Sequence, residues 1–227
     1  MTILGGITAS FLVALPALFS IVSPIGGALI YSQLTLGRPH AERRALAWRV
    51  ALYSAFVMLG SLWIGATMMS FFGVSIDALR VAGGLVVTAS AWNMLYHTQE
   101  NEDRKQEHSA RAAYDSAWSA DVAFFPLTMP LTTGPGTISV AIALSASRPS
   151  TAAELLPFYA GSSAAAVAVA LSIGAFYSSA DRVVTLLGPG RARVLTRISA
   201  FLLLCIGVQI LITGVQGALT AVLATQH

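Results

Sequence analysis

The hydrophobic residues of this chain fall into long runs, and the charged residues stand between them. Six stretches contain no Lys, Arg, Asp or Glu: 1–37, 50–76, 81–99, 122–147, 155–180 and 198–227. The shortest, Val81 to Gln99, has 19 residues, and about 20 apolar residues cross a bilayer as a helix. The pattern predicts an all-α integral membrane protein with six transmembrane helices. The first is expected over Ile7–Gln33 and the second over Ala47–Phe71. The third follows Gly73, with Ser75 as N-cap and Asp77 in the first turn, where a carboxylate suits the positive helix end. The fifth is expected over Ala152–Tyr177, where Ala166, Ala170 and Gly174 offer a packing face, and the sixth over Val194–Val222.

The fourth run is apolar but interrupted. Phe124 to Ser139, FFPLTMPLTTGPGTIS, carries Pro126, Pro130 and Pro135 with Gly134 and Gly136. Each proline removes a backbone donor and clashes with the turn before it. In lipid, broken backbone persists only where protein or a water-filled cavity satisfies the freed groups. The first run carries a similar break, Ser23-Pro24 followed by Ile25-Gly26-Gly27, whereas Pro16 reads as a tolerated kink. Helices 1 and 4 are therefore expected to be discontinuous. Their breaks are the candidate binding site: Ser23, Pro24, Gly26 and Gly27 from one, and Pro130, Thr132, Thr133, Gly134, Pro135, Gly136 and Thr137 from the other.

The two halves of the chain match. Gly73–Leu95 laid on Gly190–Ile212 at an offset of 117 pairs Arg80 with Arg197, and Ser23-Pro24-Ile25 aligns with Met129-Pro130-Leu131 at an offset of 106. With three helices per half, the halves must lie in opposite orientations, the plan of many secondary transporters. The division is 1–98 for the first three-helix repeat, 99–120 for a polar connector and 121–227 for the second repeat. Arg80 and Arg197 either snorkel to the interface or, with Asn93 and Gln209, support the site.

Composition agrees with a bilayer environment: 56% of residues are hydrophobic and 10% charged, against about 25% charged in soluble domains. The loops at 38–49, 100–121 and 181–197 hold 11 of the 13 basic residues. The positive-inside rule places them in the cytoplasm and both termini outside. The basic balance is thus a topology signal that needs no nucleic-acid partner. Residues 1–30 lack a basic n-region and exceed an h-region in length, so they read as a retained first helix. Cys205 is the single cysteine and forms no internal disulfide.

The chemistry-bearing residues point away from catalysis. The four histidines, at 40, 97, 108 and 227, form no H-E-x-x-H, and there is no G-x-S-x-G elbow. No enzyme, cofactor or metal-ligand set is expected. Broken helices expose N–H groups that suit a carboxylate and C=O groups that suit an ammonium or sodium. The expected partners are the lipid bilayer and a small zwitterionic solute. Asp77, Asp121, Glu154 and Asp181 lie at span edges, so a proton relay has no mid-span carboxylate, and sodium is the candidate coupling ion. A structural or regulatory membrane protein without flux is the alternative; no oligomeric state follows from the sequence.

Three segments carry a family resemblance: GVSIDALRVAGGL at 73–85, FPLTMPLTTGPGTI at 125–138 and RISAFLLLCIGVQILITG at 197–214. The chain resembles the MarC-type (UPF0056) inner-membrane proteins over nearly its whole length. The resemblance implies a multi-pass cell inner membrane protein and, by some relatives, transport of small neutral amino acids such as glycine and alanine, in at least one case with sodium. One departure is visible. The family usually has Asn-Pro in helix 1, where this chain has Ser23-Pro24, a hydroxyl in place of an amide.

Overall fold

A computed structural model describes residues 3–35, 38–96, 122–149 and 151–224. The polar connector expected at 99–120 lies outside the described residues. Among those described, every regular element is helical: α1 (Ile3–Val22), α2 (Pro24–Leu34), α3 (His40–Phe71), α4 (Ile76–Tyr96), a wide-turn segment (Ala123–Thr132), α5 (Pro135–Ala146), α6 (Ala152–Ser178) and α7 (Ala180–Ala224).

Five spans are long and apolar enough to cross a membrane: Ile3–Ser32, His40–Phe71, Ile76–Tyr96, Ala152–Ser178 and Arg197–Ala221. The fourth charge-free stretch is divided between the ten-residue wide-turn segment and the twelve-residue α5. Neither piece reaches the length a single spanning helix needs.

Local signals set several boundaries as expected. Gly73 takes the left-handed conformation (φ +78) beyond the end of α3. The Val74 amide donates to Met69 O and the Gly73 amide to Ser70 O, the bonding of a Schellman cap. The Ala78 amide then donates to Ser75 Oγ at 3.1 Å, so Ser75 caps α4. Two expected loops are instead largely helical. α3 begins at His40 rather than Ala47, with Arg38 paired to Glu42 at 2.6 Å. The stretch 181–197 belongs to α7, which runs without interruption for 45 residues. Charge marks where lipid ends, and a helix can continue into water beyond that point.

Helices meet where glycines remove side-chain bulk. A Cβ on Gly84 of α4 would lie 2.6 Å from the Leu211 amide nitrogen of α7, and one on Gly207 would lie 2.7 Å from Thr88 Oγ1. Gly214 faces Arg80 and Gly217 faces Asp77. As the α4 number falls the α7 number rises, so the pair is antiparallel. Gly161 of α6 packs on Ile7 and Ser10 of α1, Gly65 of α3 on Ile142 of α5, and Gly174 of α6 on the Trp48 ring. Ala166 and Ala170 are buried beside Gly174, a packing face as expected. Phe56, Ile64, Leu171 and Phe201 are exposed, as suits side chains that meet acyl chains.

Candidate functional site

Proline disfavours the α region for the residue before it, and that rule writes the backbone between Ala123 and Pro135. Phe125 (φ −125, ψ 121) and Met129 (φ −112, ψ 124) are extended ahead of Pro126 and Pro130. Gly134 (φ −79, ψ −177) is extended ahead of Pro135. Within this segment threonine hydroxyls add side-chain bonds to carbonyls five residues back. Thr128 Oγ1 donates to Ala123 O at 2.7 Å, Thr132 Oγ1 to Leu127 O at 2.7 Å, and Thr133 Oγ1 to Thr128 O at 3.2 Å. The Thr133 amide reaches the same Thr128 carbonyl at 2.8 Å. Thr132 and Thr133, two of the threonines that sequence reasoning offered to a solute, bond the backbone of their own segment.

The first interruption is a single residue. Ser23 leaves the α region ahead of Pro24 on the left-handed side, at φ +48, a conformation uncommon outside glycine. Around it the Ser23 amide still reaches Phe19 O and the Gly27 amide reaches Ser23 O, each at 2.9 Å. Pro24 thus opens α2 as Pro135 opens α5. Proline suits the first helical position because its amide would have no partner there.

The two interruptions approach each other. Ile21 lies against Gly136, where a Cβ would sit 3.5 Å from Ile21 Cδ1, an ordinary contact. Gly136 therefore has room for a side-chain carbon. The tight glycine is Gly27, whose missing Cβ leaves the space that the Tyr177 phenol occupies. The Tyr177 hydroxyl also lies 2.9 Å from Thr132 Oγ1. Because the Thr132 proton is directed at Leu127 O, Tyr177 is the donor in that pair. Pro24 and Gly26 are buried, as are Thr132, Thr133 and Thr137.

Sequence reasoning missed Tyr177 and what lies beyond it. The Tyr177 ring stacks on Tyr31 at 4.8 Å between centroids, and the Tyr31 hydroxyl donates to the Arg43 carbonyl. The Arg43 guanidinium grips Asp181 with two bonds of 2.9 Å and donates through Nε to Thr35 Oγ1 at 3.0 Å. These contacts hold the Asp181 carboxyl below the usual carboxylate range, chiefly through the Arg43 hydrogen bond. A buried tyrosine needs a partner for its hydroxyl, and that requirement was the available signal.

The four supporting candidates stand on α4 and α7. Arg80 caps the end of α5, donating through Nε to Ala146 O at 2.9 Å, and pairs with Asp77 at 3.0 Å. Cations stabilise the C-terminal end of a helix. Arg197 lines a cavity of about 490 Å³ with Trp92, Tyr96 and Phe201. Asn93 and Gln209 occupy exposed positions on α4 and α7.

Residues 8–219 match the family described as MarC family integral membrane protein. The chain belongs to the MarC family. The UPF0056 membrane protein of Methanocaldococcus jannaschii is 30% identical over 212 residues, covering 92% of this chain and 97% of that one. The UPF0056 inner membrane protein MarC of Escherichia coli is 30% identical over 203 residues, covering 88% and 91%. No solved structure matches. The interruption at 125–137 thus lies within the segment that matches the MarC family, and so does Ser23-Pro24.

Proposed function

We propose that this MarC-family protein is a secondary transporter of a small zwitterionic solute, a neutral amino acid of glycine or alanine size, held between the two helix interruptions. The observation that carries the reading is the pair of proline-opened helices, at the buried Pro24 and the exposed Pro135, joined by Tyr177 through Gly27 and Thr132. A helix N-terminus directs free amides at a carboxylate, and the carbonyls at an interruption suit an ammonium or a sodium ion. Sodium is the coupling ion favoured, since Asp77, Asp121, Glu154 and Asp181 lie at span edges. The reading assigns no catalytic step, no cofactor and no nucleic-acid partner.

The same proposal takes the chain through the membrane six times, as inverted repeats 1–98 and 121–227 with discontinuous helices 1 and 4. The wide-turn segment and α5 together form the fourth crossing. Two features support this. The antiparallel α4 and α7 occupy equivalent places, third in each half. The packing also exchanges: α1 lies on α6 as α5 lies on α3, and α7 lies on α1 and α2 as α4 lies on α5. Eleven of the 13 basic residues then face the cytoplasm with both termini outside. The printed name of the Escherichia coli relative supports the inner membrane as the location.

The test is uptake of labelled glycine and alanine into liposomes holding the purified protein, with and without a sodium gradient. Uptake above empty liposomes, stimulated by inward sodium, is expected. Folded protein that moves neither solute under either condition would favour the alternative, a structural or regulatory membrane protein.

A further inference from the structure

We propose that the Arg43–Asp181 ion pair is the cytoplasmic latch of the solute path, and that the Tyr31–Tyr177 stack links it to the Thr132 interruption. This rests on the transport reading above and deepens it, from where a solute binds to what closes over it.

A path to the threonines of the interruption must open, because they are covered even though Pro135 beside them is exposed. Thr132, Thr133 and Thr137 are at most 2% exposed. From Thr132 one series of contacts leads through two buried tyrosines to a partly exposed ion pair. Tyr177 is 1% exposed and Tyr31 0%, while the side chain of Arg43 is 11% and that of Asp181 48% exposed. Every link is a described contact: hydroxyl to hydroxyl, ring on ring, hydroxyl to carbonyl, guanidinium to carboxylate. Beyond the last link lies a cavity of about 490 Å³ bounded by His40, Arg44, Trp48 and Asp181. Solvent therefore reaches one face of the pair, and protein packs against the other.

The pair also joins what must separate. Arg43 stands in the first turn of α3 and Asp181 in the first turn of α7, one in each half. Ser32 of α2, 3.5 Å from Asp181 Oδ1, brings the end of the first interrupted helix to the same point. A bidentate guanidinium–carboxylate pair fixes geometry well, yet a half-exposed pair is worth little in free energy. It therefore holds the closed state in register without making opening prohibitive. Seating or withdrawal of a solute at Thr132 displaces the Tyr177 hydroxyl, and the stacked Tyr31 carries that shift to the Arg43 carbonyl. The latch and the site are two biases on one equilibrium.

The experiment reads opening without any solute. In full-length protein carrying Cys205→Ser and Thr133→Cys, the buried reporter thiol is titrated with a membrane-impermeant maleimide, in vesicles of both orientations. Asp181→Asn and Arg43→Gln should each raise the labelling rate about three- to fivefold, only from the face that bears the pair. The exchange Arg43→Asp with Asp181→Arg should return it to within about twofold of the parent. Asp181→Glu, which keeps the charge, should label like the parent. Tyr177→Phe, which keeps the stack and removes the bond to Thr132, should raise the rate about twofold or more. Unchanged labelling in folded Asp181→Asn would overturn the latch, as would an exchange variant that labels as fast as the single ones. Unchanged labelling in Tyr177→Phe would overturn the link. Asp181 is half-exposed, so its variant carries the test if Arg43→Gln does not fold. Failure of glycine and alanine uptake would bear on the transport reading alone, since labelling needs neither solute.

Discussion

The Tyr177 hydroxyl donates to Thr132 Oγ1 across 2.9 Å and fills the space where a Cβ on Gly27 would stand. One phenol on α6 thus touches α2 and the wide-turn segment, the elements beside the two interruptions. A new Cβ on Gly27 would also lie 3.0 Å from Tyr177 Cζ and 3.1 Å from Cε1. Gly27→Ala should therefore cost about 1–3 kcal/mol, as overpacking does. Adding Tyr177→Phe removes the oxygen that collides, so the double variant should lose less than the sum of the single losses. Thermal unfolding in detergent checks this; strict additivity would mean that the phenol does not set the limit at Gly27.

Thr132 and Thr128 make the same bond to a carbonyl five residues back, but only Thr132 also accepts from a tyrosine. Thr132→Val should cost about 1 kcal/mol more than Thr128→Val, because it strands a second buried group. Paired melting curves decide it, and equal losses would remove the Tyr177 bond from the account.

Space at the α4–α7 seam differs from space on the lipid face. Gly84→Ala places a carbon 2.6 Å from the Leu211 nitrogen, a backbone atom, whereas a Cβ on Gly60 meets nothing within 4 Å. Gly84→Ala should lower the yield of folded protein several-fold, and Gly60→Ala should leave it unchanged or slightly raised by the gain in helix propensity, about 1 kcal/mol. Size-exclusion profiles after membrane extraction compare the two.

The pH dependence of the Arg43–Asp181 pair follows from its sign. The folded carboxyl titrates below its ordinary value of 3.8. Its contribution is complete above that value and is lost only as pH falls through the lower, folded one. The other charged groups lining the adjoining cavity, His40, Arg44 and Arg182, are basic; His40 Nδ1 lies 3.7 Å from Asp181 Oδ2, so a charged His40 adds to the hold on the carboxylate and cannot raise labelling. Reporter labelling at Thr133→Cys should stay level from about pH 8 to about pH 5. A rise within that interval, corrected for thiolate reactivity on a free peptide, would contradict the assignment.

Orientation has a direct readout. A reporter active only in the cytoplasm, fused after His227, should be silent, and one fused within 100–121 should be active. The reverse pattern would invert the topology read from the 11-to-2 distribution of basic residues.

The all-helical membrane class and the places of five spans were legible because lipid admits few charges, so the charge-free stretches mark them. Helix ends in water were not, because charged residues propagate a helix as well as apolar ones do. That is why His40–Arg49 and 181–197 read as loops and fold as helix. At the site, the prolines announced an interruption, and the rule for pre-proline residues accounts for its form at Phe125, Met129 and Gly134. What the sequence could not announce was the partner of each threonine hydroxyl. The hydroxyls of Thr132 and Thr133 turn back to Leu127 O and Thr128 O of their own segment. Tyr177 and Asp181 stand 45 and 49 residues from Thr132, and only tertiary packing joins them.

The length of α7 has a mechanical consequence. One unbroken helix carries Asp181 near its start and Gly207, Gly214 and Gly217 farther along, the last three wedged against α4. A rod clamped over its far half cannot slide when its near end is released; it can only flex. Pro189 lies between the two regions and supplies no amide, so the rod is weakest there. Freed from Arg43, the near end of α7 would swing like a tiller about 188–190, while the glycine seam keeps the rest of the helix still.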